Sequence, residues 1–313
     1  WQDATEGSAF GINSGDSTVL VKTDTVVDGV DEPNETFTLT GTLTSDGTPP
    51  VSDTGTATIV DGDVPTISVG APDTGLGDIT VPEGDDAIFG VKVTGAAAGS
   101  TLSLTLAPSG ANPATEGSDY KAATFQYSLD GGTTWQDATE GSAFGINSGD
   151  STVLVKTDTV GDGVDEPNET FTLTGTLTSD GTPPVSDTGT ATIVDGDVPT
   201  ISVGAPDTGL GDITVPEGDD AIFGVKVTGA AAGSTLSLTL APSGANPATE
   251  GSDYKAATFQ YSLDGGTTWQ DATEGSAFGI NSGDSTVLVK TDTVGDGVDE
   301  PNETFTLTGT LTS

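Results

Sequence analysis

Trp1, Trp135 and Trp269 each open the same run, WQDATEGSAFGINSGDSTVLVKTDTV. The period is 134 residues, and residues 1–134 align with 135–268 without a gap. The single difference is Val27 against Gly161, with Gly295 in the third copy. A period of this length exceeds the roughly 20–50 residues of a solenoid repeat and is large enough for each copy to hold a core of its own. Whatever this chain folds into, it does so in series.

The junctions fall best at Asp61-Gly62-Asp63-Val64-Pro65 and Asp195-Gly196-Asp197-Val198-Pro199. An apolar strand ends at each and another begins at once, and proline, lacking an N–H, suits a place where pairing stops. This parsing makes 1–63 the back part of a unit, 64–197 a complete unit, and 198–313 a unit without its last strand.

Within the complete unit apolar and polar residues alternate with period two. The pattern predicts strands over 66–70 continuing through 78–81, then 87–93, 101–106, 123–129, 133–137, 142–146, 151–157, 170–177 and 188–194. Asp130-Gly131-Gly132 marks a hairpin turn. No amphipathic helix is visible. Many short strands separated by Gly, Pro and Asp predict an all-β chain of antiparallel two-sheet sandwiches.

If successive strands alternate in direction, the connections alternate between the two ends of the sandwich. The count sends Glu83, Asp85, Asp86, Glu116, Asp119, Asp137, Glu140, Asp158, Asp162, Asp165, Glu166, Glu169, Asp195 and Asp197 to one pole. The opposite loops receive only Asp130, Asp150, Asp180 and Asp187. A charged end would aid solubility, but charge spread over the surface would serve as well. Segregation of this kind calls for cations at the pole.

The loop Asp162-Gly163-Val164-Asp165-Glu166-Pro167-Asn168-Glu169, which recurs from Asp28 and from Asp296, concentrates the problem: four carboxylates in eight residues. The chain has 48 acidic residues against seven lysines, no arginine and no histidine, for a net charge of −41. Protein cations are too few, and an all-oxygen donor set suits Ca²⁺. The same charge argues against nucleic acid as a partner and against direct contact with an anionic membrane. There is no cysteine, no apolar run approaches a membrane span, and, with Trp1 falling inside a repeat, no targeting signal is legible.

Other motifs are weaker. The spacing is not that of an EF-hand, and Gly75-Leu76-Gly77-Asp78 does not recur as a calcium β-roll nonapeptide. Asn168-Glu169-Thr170 matches a glycosylation sequon, but a sugar there would obstruct the acidic loop. Thr170, Thr172, Thr174, Thr176 and Thr178 alternate along one strand. Such a ladder can grip ice or glycan, although Thr is also an ordinary outward-facing strand residue. Trp135 reads as a hairpin packing residue rather than a sugar-stacking one. Paired carboxylates suit glycoside hydrolysis, yet close pairs arise by chance in so acidic a chain, and near-identical tandem copies suit mechanical reach better than turnover. The expectation is no enzyme activity.

Three separated runs, Gly189–Asp197 (GTATIVDGD), Asp165–Leu173 (DEPNETFTL) and Glu116–Tyr120 (EGSDY, again at Glu250–Tyr254), resemble the Calx-β domain in the right order over the whole repeat. The resemblance implies an immunoglobulin-like sandwich with Ca²⁺ at one pole. Carried across residue by residue it implicates Glu83, Asp119, Asp162, Glu166, Glu169, Asp195 and Asp197, to which charge and position add Asp165. The counterparts are Asp28, Asp31, Glu32, Glu35, Asp61 and Asp63 in the first copy, and Glu217, Asp253, Asp296, Asp299, Glu300 and Glu303 in the third. Two family runs of consecutive Asp are broken here, as Gly161-Asp162-Gly163 and Asp195-Gly196-Asp197, which lowers the number of ligands. Tandem arrays of such units resemble the extender region of giant bacterial RTX-type surface adhesins. That implies an extracellular, monomeric structural role, projecting an adhesive tip for cell adhesion or biofilm formation, with calcium and the neighbouring repeats as partners.

Overall fold

The computed structural model describes residues 1–121, 125–180, 182–255 and 259–313. Its regular structure among these is entirely β. The first two strands, β1 (Glu35–Leu43) and β2 (Val51–Ile59), form an antiparallel ladder of their own. The next ten are β3 (Thr66–Gly70), β4 (Ile79–Pro82), β5 (Asp86–Ala96), β6 (Thr101–Pro108), β7 (Phe125–Ser128), β8 (Gln136–Ala138), β9 (Phe144–Gly145), β10 (Gly149–Asp158), β11 (Glu169–Thr178) and β12 (Val185–Val194). They make two five-stranded sheets, in the orders β3-β5-β10-β7-β8 and β4-β12-β11-β6-β9.

This is the strand exchange of an immunoglobulin-like sandwich: the first strand splits between sheets, and the remaining strands pair across Greek-key connections. The expected continuous strand 66–81 is therefore two strands. The chain leaves β3 at Gly70, where a Cβ would lie 2.5 Å from the backbone of Leu76 and Gly77. A turn closed by Gly75 N–H to Ala71 O (2.7 Å) then carries it to the other sheet. There β4 pairs in parallel with β12, the one parallel ladder among the described strands. Residues 123–124 of the expected strand 123–129 lie outside the described residues.

The alternation fills the interior. Phe89, Val91, Val93, Leu102, Leu104, Leu106, Phe125, Val153, Val155, Phe171, Leu173 and Leu177 point inward and are buried. Their neighbours along β11 are the threonines, which share the outer face with Thr188, Thr190 and Thr192 of β12. Thr174 and Thr188 meet hydroxyl to hydroxyl at 2.9 Å. The β7–β8 hairpin is pinned by Asp130, whose carboxylate accepts from Ser128 Oγ, Thr134 N–H and Thr134 Oγ1. Trp135 follows, half-buried, with Lys156 Nζ 5.1 Å from its ring.

The third stretch repeats this with β13 (Thr200–Gly204), β14 (Asp220–Ala230), β15 (Thr235–Pro242), β16 (Phe259–Ser262), β17 (Gln270–Ala272), β18 (Phe278–Gly279), β19 (Gly283–Asp292) and β20 (Phe305–Thr312). Residues 213–216 have the sequence of β4 but form no strand, because no counterpart of β12 lies beside them. Residues 1–34 match 135–168 at every position but Val27 against Gly161, yet carry no strand. Phe37 and Leu39 of β1 are 38 % and 51 % exposed, whereas Phe171 and Leu173 at the same repeat positions are fully buried. Identical residues therefore take their burial from their sheet partners.

Successive units touch in the same way twice. Asp31 N–H donates to Gly95 O (2.9 Å), and Asp165 N–H donates to Gly229 O (3.0 Å).

Candidate metal centre

The parallel β4–β12 ladder sets the site. Parallel strands leave a sheet at the same edge, so Glu83 after β4 and Asp195 after β12 emerge side by side, with Glu83 N–H bonded to Val194 O (3.0 Å). The loop from β10 to β11 enters the same pole, and Asp162 N–H donates to Glu83 Oε1 (2.8 Å). The loop from β6 to β7 completes it. Tyr120 stacks on Phe171 with ring centres 4.6 Å apart, which holds the adjoining Asp119 against Glu169.

The described residues form two carboxylate triads in this unit, Glu83/Asp162/Asp197 and Asp119/Glu166/Glu169, each with oxygens within 4.8 Å of one another. Glu83, Asp119, Asp162, Glu166, Glu169 and Asp195 line one cleft between the triads, with a cavity of about 10 Å³, room for a body the size of one water. No described lysine pairs with these groups: Lys121 is taken by Asp158 (3.1 Å) and Lys156 by Asp86 (3.3 Å).

The charge is reflected in the proton affinities. Burial, then a hydrogen bond shared with Asp119, then the charges of Asp119, Glu166 and Glu83 push Glu169 up to about 7. Glu166 is raised by burial and by Asp162, Asp119 and Asp195. Glu83 is raised by burial and by Asp195 and Asp197, against the pull of the Asp162 N–H. Asp195 Oδ1 is buried with no donor. The carboxylate of Glu83 lies within hydrogen-bond reach of Asp195, and when ionised it only accepts, so Oδ1 is left for a donor or a cation from outside the protein. This orphaned oxygen, in an all-oxygen donor set, fits a hard divalent ion.

Not every expected residue joins a triad. Asp165 is half-buried and turns its main chain to Gly229. Asp31 is 1 % exposed and lies against the next unit, accepting from Thr182 Oγ1 (3.3 Å). Asp28, Glu32, Glu35, Asp61 and Asp63 are near enough for the other four, Asp28 foremost, to raise Glu32, but Glu32 is fully exposed. In the third stretch Asp253, Glu300 and Glu303 form a triad, and Glu303 is raised first by its hydrogen bond with Asp253. Glu217 accepts from Asp296 N–H (2.6 Å), with no counterpart of Asp195 or Asp197 beside it, and Asp299 is exposed. Asp137 accepts from Gln126 Nε2 and Glu140 from Leu106 N–H, and neither joins a triad.

One positioning residue was passed over by the sequence reading. Asn168 Oδ1 accepts from Asp195 N–H (3.2 Å), tying the acidic loop to the end of β12, and Asn34 does the same for Asp61 N–H (2.9 Å). Its signal was its place inside every copy of the acidic run.

No protein-family model matches the chain, and no curated protein matches it. Among solved structures, one similar to it is the crystal structure of CBD12 from CALX1.2, 16 % identical over 69 % of this chain and 72 % of that one, TM-score 0.24. Another is the CsuC–CsuE chaperone–tip adhesion subunit pre-assembly complex of Acinetobacter baumannii, 10 % identical over 79 % and 99 %, TM-score 0.30. A third is a non-cellulosomal cohesin from Archaeoglobus fulgidus, 23 % identical over 42 % and 91 %, TM-score 0.21. At these scores the likenesses assign the chain neither a family nor a function.

Proposed function

We propose that this chain is a run of structural extender repeats of a secreted bacterial cell-surface adhesin, each sandwich braced by Ca²⁺ at its acidic pole. The observation that carries the calcium reading is the buried, donorless Asp195 Oδ1, with Glu83 close by, in a cleft whose carboxylates pair with no described lysine. Near-identical tandem copies and short Pro-containing linkers support the mechanical role. The ion would supply positive charge and accept oxygens from both triads. Glu83, Asp162 and Asp197 would hold one side, and Asp119, Glu166 and Glu169 the other. Because Asp195 and Asp197 begin the linker to the next unit, binding there would tie the strand end to the loops.

Extracellular calcium modules bind at about 10⁻⁴–10⁻³ M, so the array would be loose in a cell and stiffen outside it. Titration calorimetry of the chain with CaCl₂, paired with small-angle scattering before and after chelation, tests this. Saturable binding with a shorter or more flexible particle after chelation is expected. No heat of binding and an unchanged scattering profile would remove the reading.

A further inference from the structure

We propose that a bulge on each unit is a socket for the acidic loop of the unit before it, and that this contact fixes the angle between successive units. The inference rests on the extender reading but not on calcium. In the β5–β10 ladder Ala96 faces Gly149 while Val93 faces Ser151, so β5 carries one extra residue. Gly95 stands in that bulge at φ +69°, with its N–H held by Asp150 Oδ1 (3.1 Å). Its carbonyl thereby faces out and accepts from Asp31 N–H of the preceding unit. A Cβ on Gly95 would lie 2.8 Å from Gly29 O of that unit and 3.9 Å from Pro65 Cα of the linker.

The second junction repeats every part. β14 bulges between Val227 and Ala230, and Gly229 at φ +69° is held by Asp284 Oδ1 (3.2 Å). It accepts from Asp165 N–H, and a Cβ there would lie 2.7 Å from Gly163 O and 3.9 Å from Pro199 Cα. The loop is thus divided by residue: Asp162, Glu166 and Glu169 face their own pole, while Gly163 and Asp165 meet the next unit. Val164 between them is half-buried, whereas Val298, with no unit described against it, is 56 % exposed.

The same turn supplies a control. Gly99 and Gly233 are also left-handed, at φ +86° and +89°, but face open space. Asparagine tolerates that backbone region, so Gly229→Asn and Gly233→Asn carry a similar conformational cost and differ in what the new side chain meets. With no native cysteine, Thr139→Cys and Thr273→Cys in the full chain take spin labels for pulsed dipolar spectroscopy. The parent should give a single narrow distance peak, kept in Gly233→Asn and lost in Gly229→Asn. Val164→Gln should lose it too, and Val298→Gln should keep it, without touching any glycine. A narrow peak in Gly229→Asn and Val164→Gln overturns the socket, as does equal broadening in the Gly233→Asn control. A parent peak that is narrow with or without calcium, yet lost in the socket variants, supports the socket and removes the calcium brace.

Discussion

Glu169 sits where burial, Asp119 and Glu166 all oppose ionisation, and its proton affinity in the metal-free chain is pushed up to about 7. An unfolded glutamate titrates near 4.3. The folded state therefore binds the extra proton across that window, and the stability it confers is present below the ordinary value and lost as pH rises through about 7. Glu83 and Glu166 are raised too and act in the same sense. Asp130, held down at about 2 by Thr134 and Ser128, is ionised throughout and adds no slope. In metal-depleted buffer the chain should accordingly melt at lower temperature at pH 8 than at pH 5.5. Saturating calcium should flatten or invert the trend, because the ion takes the place of the proton. A thermal scan series at fixed ionic strength reads this, and a metal-free profile that rises with pH would contradict the charge arrangement at the pole. Glu169→Gln separates the two roles. It should raise the melting temperature of the metal-free chain at pH 8, since a repelling charge is gone. It should also weaken calcium binding by about tenfold or more, equivalent to about 1.4 kcal/mol.

At the level of strands, the repeat offers its own control. Phe37 and Phe171 have the same neighbours in sequence, yet one is exposed and the other packs edge-on against Phe89 and face-on against Tyr120. Phe171→Ala should cost the surrounding sandwich about 3–5 kcal/mol. Phe37→Ala should change stability by less than about 0.5 kcal/mol. Urea midpoints of the two variants decide the matter. The comparison also shows what could be read in advance. Period-two alternation marked the inward residues from Phe89 to Leu177, and a simple count of reversals sent Glu83, Asp119, Asp162 and Asp195 to one end, where they meet. That β3 and β4 part into different sheets was not legible, because the alternation runs on through both segments. Nor was the parallel pairing that sets Glu83 beside Asp195, which depends on a strand more than a hundred residues later. The division of the acidic loop between its own pole and the next unit was hidden for a related reason: Asp165 contributes a main-chain N–H, which no side-chain pattern announces.

For the whole molecule, the unequal completeness of the poles has a thermodynamic consequence. Among the described residues, the sandwich spanning β3 to β12 has both triads and Asp195, while the one spanning β13 to β20 has the Asp253/Glu300/Glu303 triad. A ligand stabilises only the state that binds it, by about 2.7 kcal/mol for one site at a concentration of about 100 times Kd. Calcium should therefore raise the two melting transitions by different amounts and pull them apart in a calorimetric scan, the larger shift belonging to the sandwich with both triads. Asp195→Asn identifies that transition. It removes charge beside Glu83 and leaves the strands intact, so it should reduce the larger shift while the smaller one stays where it was. Equal shifts of both transitions would mean that the second triad and the end of β12 contribute nothing to ion binding. The parallel ladder would then be a feature of folding alone, and bracing by metal would have to come from the Asp119, Glu166 and Glu169 side by itself.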